Sequence, residues 1–270
     1  MKKMSTEKLY KIFVYVALIS LAISIIVPVA WVFVSSLKTN AEFQGSPWTL
    51  PMSFYFQNFI AAFEKAHMAE YLLNSVIVTA LGLILLVIIA LPASYVLARF
   101  DFAGKKIINT LFMAGLFINV NYIVVPIFLM LLDWDDVIYN LFGQTFFLDN
   151  IFVLAVVYAS TALPFTIYLL SGYFKTLPKA YEEAAFIDGC GYFKTLIKVM
   201  APMAKPSIIT VILFNFLAFW NEYIIALTLM PGASKTLPVG LVTLSKGQMA
   251  AANYGQLYAG LVIVMLPTLI

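Results

Sequence analysis

The 270-residue chain is 63% hydrophobic and 11% charged, against about 45–50% and about 25% in soluble domains. That balance, with long uncharged runs along its whole length, excludes an ordinary soluble domain and makes a bilayer the natural solvent. The net charge of +3 carries no nucleic-acid footprint, and a single cysteine, Cys190, excludes an internal disulfide.

A helix crossing roughly 30 Å of hydrocarbon needs about 20 mainly apolar residues. In chain order such runs are Ile12–Val34, Leu72–Leu97, Ile107–Leu132, Ile151–Tyr173, Ser207–Met230, interrupted only by Glu222, and a last one from Tyr254 to Ile270. Lys2, Lys3, Lys8 and Lys11 before the first run mimic a signal peptide, but its apolar stretch is too long and further spans follow. Leu257–Ile270 would rise only about 21 Å as a helix, so the chain is expected to continue past Ile270. The fold class is therefore an all-α integral membrane protein with six transmembrane helices.

Basic residues set the orientation. Twelve of the sixteen Lys and Arg fall on one side of the spans: the four N-terminal lysines, then Arg99, Lys105 and Lys106, then Lys175, Lys179, Lys194, Lys198 and Lys205. Lys38, Lys65, Lys235 and Lys246 fall on the other, with Glu42, Glu64, Glu70, Asp133, Asp135, Asp136 and Asp149. This places the N-terminus in the cytoplasm.

The cytoplasmic loop 174–206 is predicted to be a helical hairpin. Pro178 suits a first helical turn, Glu182 and Glu183 sit at its positive end, and Gly189 suits a left-handed stop, giving a helix over Pro178–Asp188. Phe193, Leu196, Ile197 and Met200 recur at helical spacing over Tyr192–Met200, and Pro202 and Pro206 end that helix. Ala184 and Ala185 leave a nearly flat face on which another protein could dock.

Glu183-Ala184-Ala185, three residues, Gly189, then twelve residues to Pro202 resemble the "EAA" signature of ABC importer permeases. Val199 and Ala201 stand where that family usually has isoleucine and leucine. Ser36-Leu37-Lys38-Thr39, Asn74-Ser75, Ala93–Tyr95 with Ala98-Arg99-Phe100 and Gly104, and Trp220-Asn221-Glu222 are similar to the carbohydrate branch, in particular the second permease of maltose-type transporters. The resemblance implies a type I importer permease fold. Residues 1–70 would form a cytoplasmic stub, first span and external segment, and 71–270 the permease domain. It also implies that Glu183, Ala184, Ala185, Asp188, Gly189 and Pro202 belong to a coupling loop seated in a cytoplasmic ATPase.

The implied partners are a homologous second permease in a heterodimer, two ATPase subunits, an extracellular or periplasmic solute-binding protein and membrane lipid. The implied location is the bacterial cell membrane. No G-x-x-x-x-G-K-[ST] phosphate loop occurs, so ATP and Mg would be bound by the partner ATPase, with no cofactor in this chain. No His/Cys cluster has metal-ligand spacing, and neither a serine nucleophile nor a paired-carboxylate arrangement occurs, so no catalytic residue or metal ligand is assigned.

Polar residues inside spans are expensive and usually face the bundle interior. Asn119 and Asn121 in the third span and Asn215, Asn221 and Glu222 in the fifth are the pathway candidates, with hydrogen bonding to neighbouring helices as the alternative role. Trp220 and Tyr223 suit an interface belt. An ion-coupled secondary transporter would need a central ionisable group, and Glu222 lies roughly 22 Å along its span, near the outer end. The solute class stays open between a sugar or oligosaccharide and another solute such as a glycerol phosphate ester.

The external loop 231–253 carries Leu237, Val239, Leu241, Val242 and Leu244, which must pack on something. They either fold back on the helix ends or, as the resemblance implies, belong to a loop that enters the docked binding protein through Ser245, Lys246, Gly247, Gln248, Met249 and Ala250.

Overall fold

The computed structural model describes residues 6–65, 67–232, 234–248 and 253–269. In chain order the helices are α1 (Thr6–Ser36), α2 (Asn40–Gly45), α3 (Gln57–Lys65), α4 (Met68–Arg99), α5 (Lys105–Gly115), α6 (Val120–Phe142), α7 (Ile151–Thr176), α8 (Ala180–Ile187) and α9 (Tyr192–Thr195). A π-helical turn, Leu196–Met200, leads into α10 (Ala201–Met203), α11 (Lys205–Trp220), α12 (Ile224–Leu229), α13 (Leu237–Gln248) and α14 (Tyr254–Leu269). Three helices, α1, α4 and α7, are long and apolar enough to cross a membrane unbroken. Two bent pairs bring the spans to five by length and composition, and α14 is a shorter apolar helix where the last span is expected.

The chain forms two compact units, Met1–Ala69 with Gly240–Ile270 and Glu70–Val239. In the first, α14 packs along α1 and α3. The apolar residues of α1 stay exposed on the chain itself, as a lipid- or partner-facing helix requires. A polar knot closes its C-terminal end. Lys38, expected on an external loop, is fully buried, and its Nζ donates to the carbonyls of Pro47 (2.8 Å) and Ser46 (3.3 Å). Asn58 Nδ2 donates to the carbonyls of Ser36 and Lys38, both at 2.8 Å. Gly255 lets the helix approach that knot, because a Cβ there would lie 2.5 Å from Asn58 Nδ2. Thr39 and Glu42 form a reciprocal capping box at the start of α2, and the Thr39 N–H holds the Glu42 carboxyl below its usual range. Around this knot Trp31 lies against Trp48 and Tyr258, and Phe43 stacks on Tyr254.

The second unit is built on α7, whose Val153, Leu154, Ala155, Val157, Tyr158, Ala159, Ile167, Leu170 and Phe174 are buried. α5 and α11 pack on it. Two spans expected to be continuous are broken. The third is α5 and α6, meeting at 105°, because Asn119 takes extended backbone and its side chain accepts the Asn121 N–H at 2.9 Å, starting a new helix. Gly115 permits the close crossing at this bend, since a Cβ would lie 2.9 Å from Pro164 Cγ. The fifth ends at Trp220 and restarts at Ile224.

α6 also runs past its expected end at Leu132 to Phe142, where Gly143 caps it at φ +73°. Asp135, expected on an external loop, is consequently a buried helix residue. Its carboxylate accepts the N–H groups of Phe146, Phe147 and Leu148 at 2.6–2.8 Å, which ties down the turn before α7. Charge-assisted bonds of this kind contribute about 1.5–3 kcal/mol each. Trp220, expected in an interface belt, is instead 3% exposed and stacked on Phe216, so it cannot meet the headgroups.

Candidate functional site

The two helix breaks of the second unit open on one cavity of about 360 Å³. Val120 and Asn121 from the first turn of α6 line it, with Tyr158, Thr161, Ala162 and Phe165 of α7, Asn215, Ala218 and Phe219 of α11, and Glu222 and Ile225 at the second break. Discontinuous helices around a cavity are how membrane transporters present polar groups at depth, because an interrupted helix frees backbone donors and acceptors that only a cavity or a side chain can satisfy. Here a side chain does it. Glu222 Oε1 accepts the Ile225 N–H (2.8 Å), and Oε2 accepts the Ala226 N–H (2.9 Å) and the Tyr158 hydroxyl (2.9 Å). The carboxylate thus starts α12 and anchors it to α7.

Three of the five pathway candidates, Asn121, Asn215 and Glu222, meet at this cavity. Asn215 is buried and its Nδ2 donates to Thr166 Oγ1 (3.1 Å) and the Val211 carbonyl (2.7 Å), so its amide oxygen has no hydrogen-bond donor among the described residues. The other two candidates do not join them. Asn119 is spent as the N-cap of α6, and Asn221 is exposed with its Nδ2 on the Leu217 carbonyl. Tyr158 and Thr161 were not legible as site residues. A tyrosine hydroxyl inside a span must find a partner, the one feature by which the sequence could single out Tyr158. None of the described lining residues is basic.

The loop between α7 and α11 is a helical hairpin, as expected. Lys179 leads into α8, and Gly189, at φ +75°, ends it in a Schellman motif, its N–H on the Phe186 carbonyl (3.0 Å) and the Cys190 N–H on Ala185 (2.9 Å). The exposed surface differs from the flat alanine face expected. Ala185 is buried at 5% exposure and packs inward, so Glu183, Ala184, Phe186, Ile187, Asp188 and Gly189 form the outer surface. The second arm is not one α-helix. Its π-helical turn rotates Leu196 and Met200 into the core while Phe193 and Ile197 stay exposed, and the arm as a whole, Tyr192–Met203, meets α11 at a bend of 78° just after the exposed Pro202.

In the segment between α12 and α14 Leu237 and Val239 are buried, the Leu237 N–H donates to Ser75 Oγ (2.7 Å), and Asn74 Nδ2 donates to the Lys235 carbonyl (3.0 Å). Leu241 and Leu244 pack about Gly260. The apolar residues of α13 therefore fold back on the chain. Ser245 is half-buried and Lys246 exposed, Gly247 and Gln248 close α13, and Met249 and Ala250 lie outside the described residues.

The profile of the family described as binding-protein-dependent transport system inner membrane component matches residues 90–270. The chain belongs to this family. It is a non-catalytic membrane permease subunit that works with permease, ATPase and binding-protein partners, the ATPase being a separate subunit. The permease is 35% identical over 268 residues to the diacetylchitobiose uptake system permease protein NgcG of Streptomyces coelicolor, covering 98% of this chain and 85% of that one. It is 29% identical to the trehalose/maltose transport system permease protein MalG of Thermococcus litoralis, covering 99% and 92%. Its fold matches a chain of a bacterial ABC transporter involved in import of the acidic polysaccharide alginate, with TM-score 0.80 and 23% identity, covering 100% of this chain and 96% of that one.

Proposed function

We propose that this permease is one of two non-identical membrane subunits of an ATP-driven importer for a neutral sugar or oligosaccharide, with its N-terminus in the cytoplasm. The cavity between the two helix breaks carries the reading. It offers amides, the hydroxyls of Tyr158 and Thr161, the Glu222 carboxylate and the aromatic rings of Phe165 and Phe219, the groups suited to hydroxyl-rich solutes, and no described lining residue is a cation that would recruit an anion. Relatives named for uptake of diacetylchitobiose and of trehalose or maltose support the same solute class.

Movement of the solute is driven from outside this chain. The exposed face of α8, from Glu183 to Gly189, would dock on an ATPase that binds ATP and Mg, and the segment Ser245–Ala250 would meet a solute-binding protein on the opposite side. A thermal-shift screen of the cognate binding protein against sugars, glycerophosphodiesters and amino acids, followed by uptake of the hit into proteoliposomes, tests the assignment. Stabilisation by an oligosaccharide supports it. Stabilisation by a glycerophosphodiester alone refutes it.

A further inference from the structure

Arg99 and Glu182 are a buried ion pair that neither the cavity nor the exposed face of α8 uses. Their side chains are 7% and 11% exposed, and Arg99 Nε lies 3.3 Å from Glu182 Oε2. The same guanidinium donates from Nη2 to the Leu177 carbonyl at 2.6 Å. Arg99 is the last residue of α4, Leu177 is the C-cap of α7, and Glu182 is on the inner face of α8. One side chain therefore ties together the ends of two membrane helices and the helix on which docking is expected.

Aromatic rings run alongside the same joint. Phe174 meets Tyr95, Tyr95 meets Phe100, Phe100 meets Tyr192 and Tyr192 meets Phe186, each edge to face with centroids 5.3–5.6 Å apart. This chain of contacts passes from α7 through α4 to both arms of the hairpin.

Buried ion pairs are poor sources of stability, because desolvation offsets most of the Coulomb attraction and apolar replacements of similar volume do as well or better. What such a pair supplies is a single allowed geometry. A planar guanidinium that donates to a backbone carbonyl on one side and lies in ionic contact with a carboxylate on the other resists the sliding that methionines would permit. We propose that Arg99 and Glu182 are positioning residues that make the loop hairpin move as one body with the cytoplasmic ends of α4 and α7, so that motion of a docked ATPase reaches the cavity-lining helices. The inference rests on the reading that this loop docks on an ATPase.

The test uses the complete transporter with its second permease, ATPases and binding protein, reconstituted in liposomes. The variants are R99M, E182M, the paired R99M/E182M and the charge swap R99E/E182R. Three quantities are read: ATPase co-purification, cross-linking from the native Cys190 to the ATPase, and solute taken up per ATP hydrolysed. The paired methionine variant leaves no unpaired charge, so it should insert, co-purify and cross-link like wild type even where the single variants fail to fold. Its uptake per ATP should nevertheless fall about tenfold, the size of coupling typical of residues in direct contact. The charge swap should recover part of the loss. Wild-type uptake per ATP in the paired methionine variant, with cross-linking intact, would overturn the staple alone. Absence of Cys190 cross-linking in the wild-type transporter would overturn the docking reading and the staple with it.

Discussion

Removing the Glu222 carboxylate should be felt first as lost stability. In Glu222→Ala three donors lose their acceptor: the N–H groups of Ile225 and Ala226, and the hydroxyl of Tyr158, a residue only 1% exposed. An orphaned buried donor costs about 1–3 kcal/mol, and with the cavity supplying water to some of them the sum is about 3–6 kcal/mol. Glu222→Gln keeps one acceptor oxygen, and its new amide N–H can donate to a reoriented Tyr158 hydroxyl, so one peptide N–H is orphaned at about 1–2 kcal/mol. At about 2–4 °C per kcal/mol, E222A should lower the melting temperature by roughly 10 °C and E222Q by about a third of that. Tyr158→Phe, which removes a single donor and leaves both N–H bonds in place, should fall nearest wild type. Thermal unfolding of detergent-solubilised transporter, followed by size-exclusion chromatography, gives the ranking. An E222A protein melting with wild type, or an E222Q protein as damaged as E222A, would refute the view that this carboxylate holds the helix break together.

Gly189→Val forces a β-branched residue to φ +75°, a strain of about 1–2 kcal/mol or more; assembly should persist while binding-protein-stimulated ATP hydrolysis in proteoliposomes falls. Ala185→Arg should act inside the loop, because Ala185 is buried; the expected outcome is reduced yield of folded, membrane-inserted chain on a fluorescence-detected column, whereas a well-folded protein deficient only in ATPase binding would contradict the inward packing. Deleting Lys246–Ala251 should leave ATPase co-purification and basal hydrolysis intact and sharply lower uptake, measured with labelled solute, and unaltered uptake would make the segment a mere connection.

Much of this permease is legible without coordinates, because the relevant forces are local or compositional. Twenty uncharged residues cannot rest in water, and Gly189 answers a left-handed stop set by the few residues around it. The helical hairpin between α7 and α11 and the stop of its first arm at Gly189 follow from the same local chemistry, whereas the π-helical turn in its second arm does not. Tertiary structure decided what local chemistry leaves degenerate. The apolar pattern of 107–132 is equally content in one straight helix or two crossing ones, and the break at the Asn119 cap is accompanied by a close approach of Gly115 to Pro164 on another span. Asp135 and Lys38 read as loop charges until the backbone of the turn that follows each folds back to supply the partners that allow them to be buried. Ala185 faces inward, and Glu182 rather than Glu183 turns toward Arg99, because helix rotation is fixed by what lies beneath α8. Asn121, Tyr158, Asn215 and Glu222 converge from three spans, and residues so far apart in the chain share a cavity only once the helices have packed.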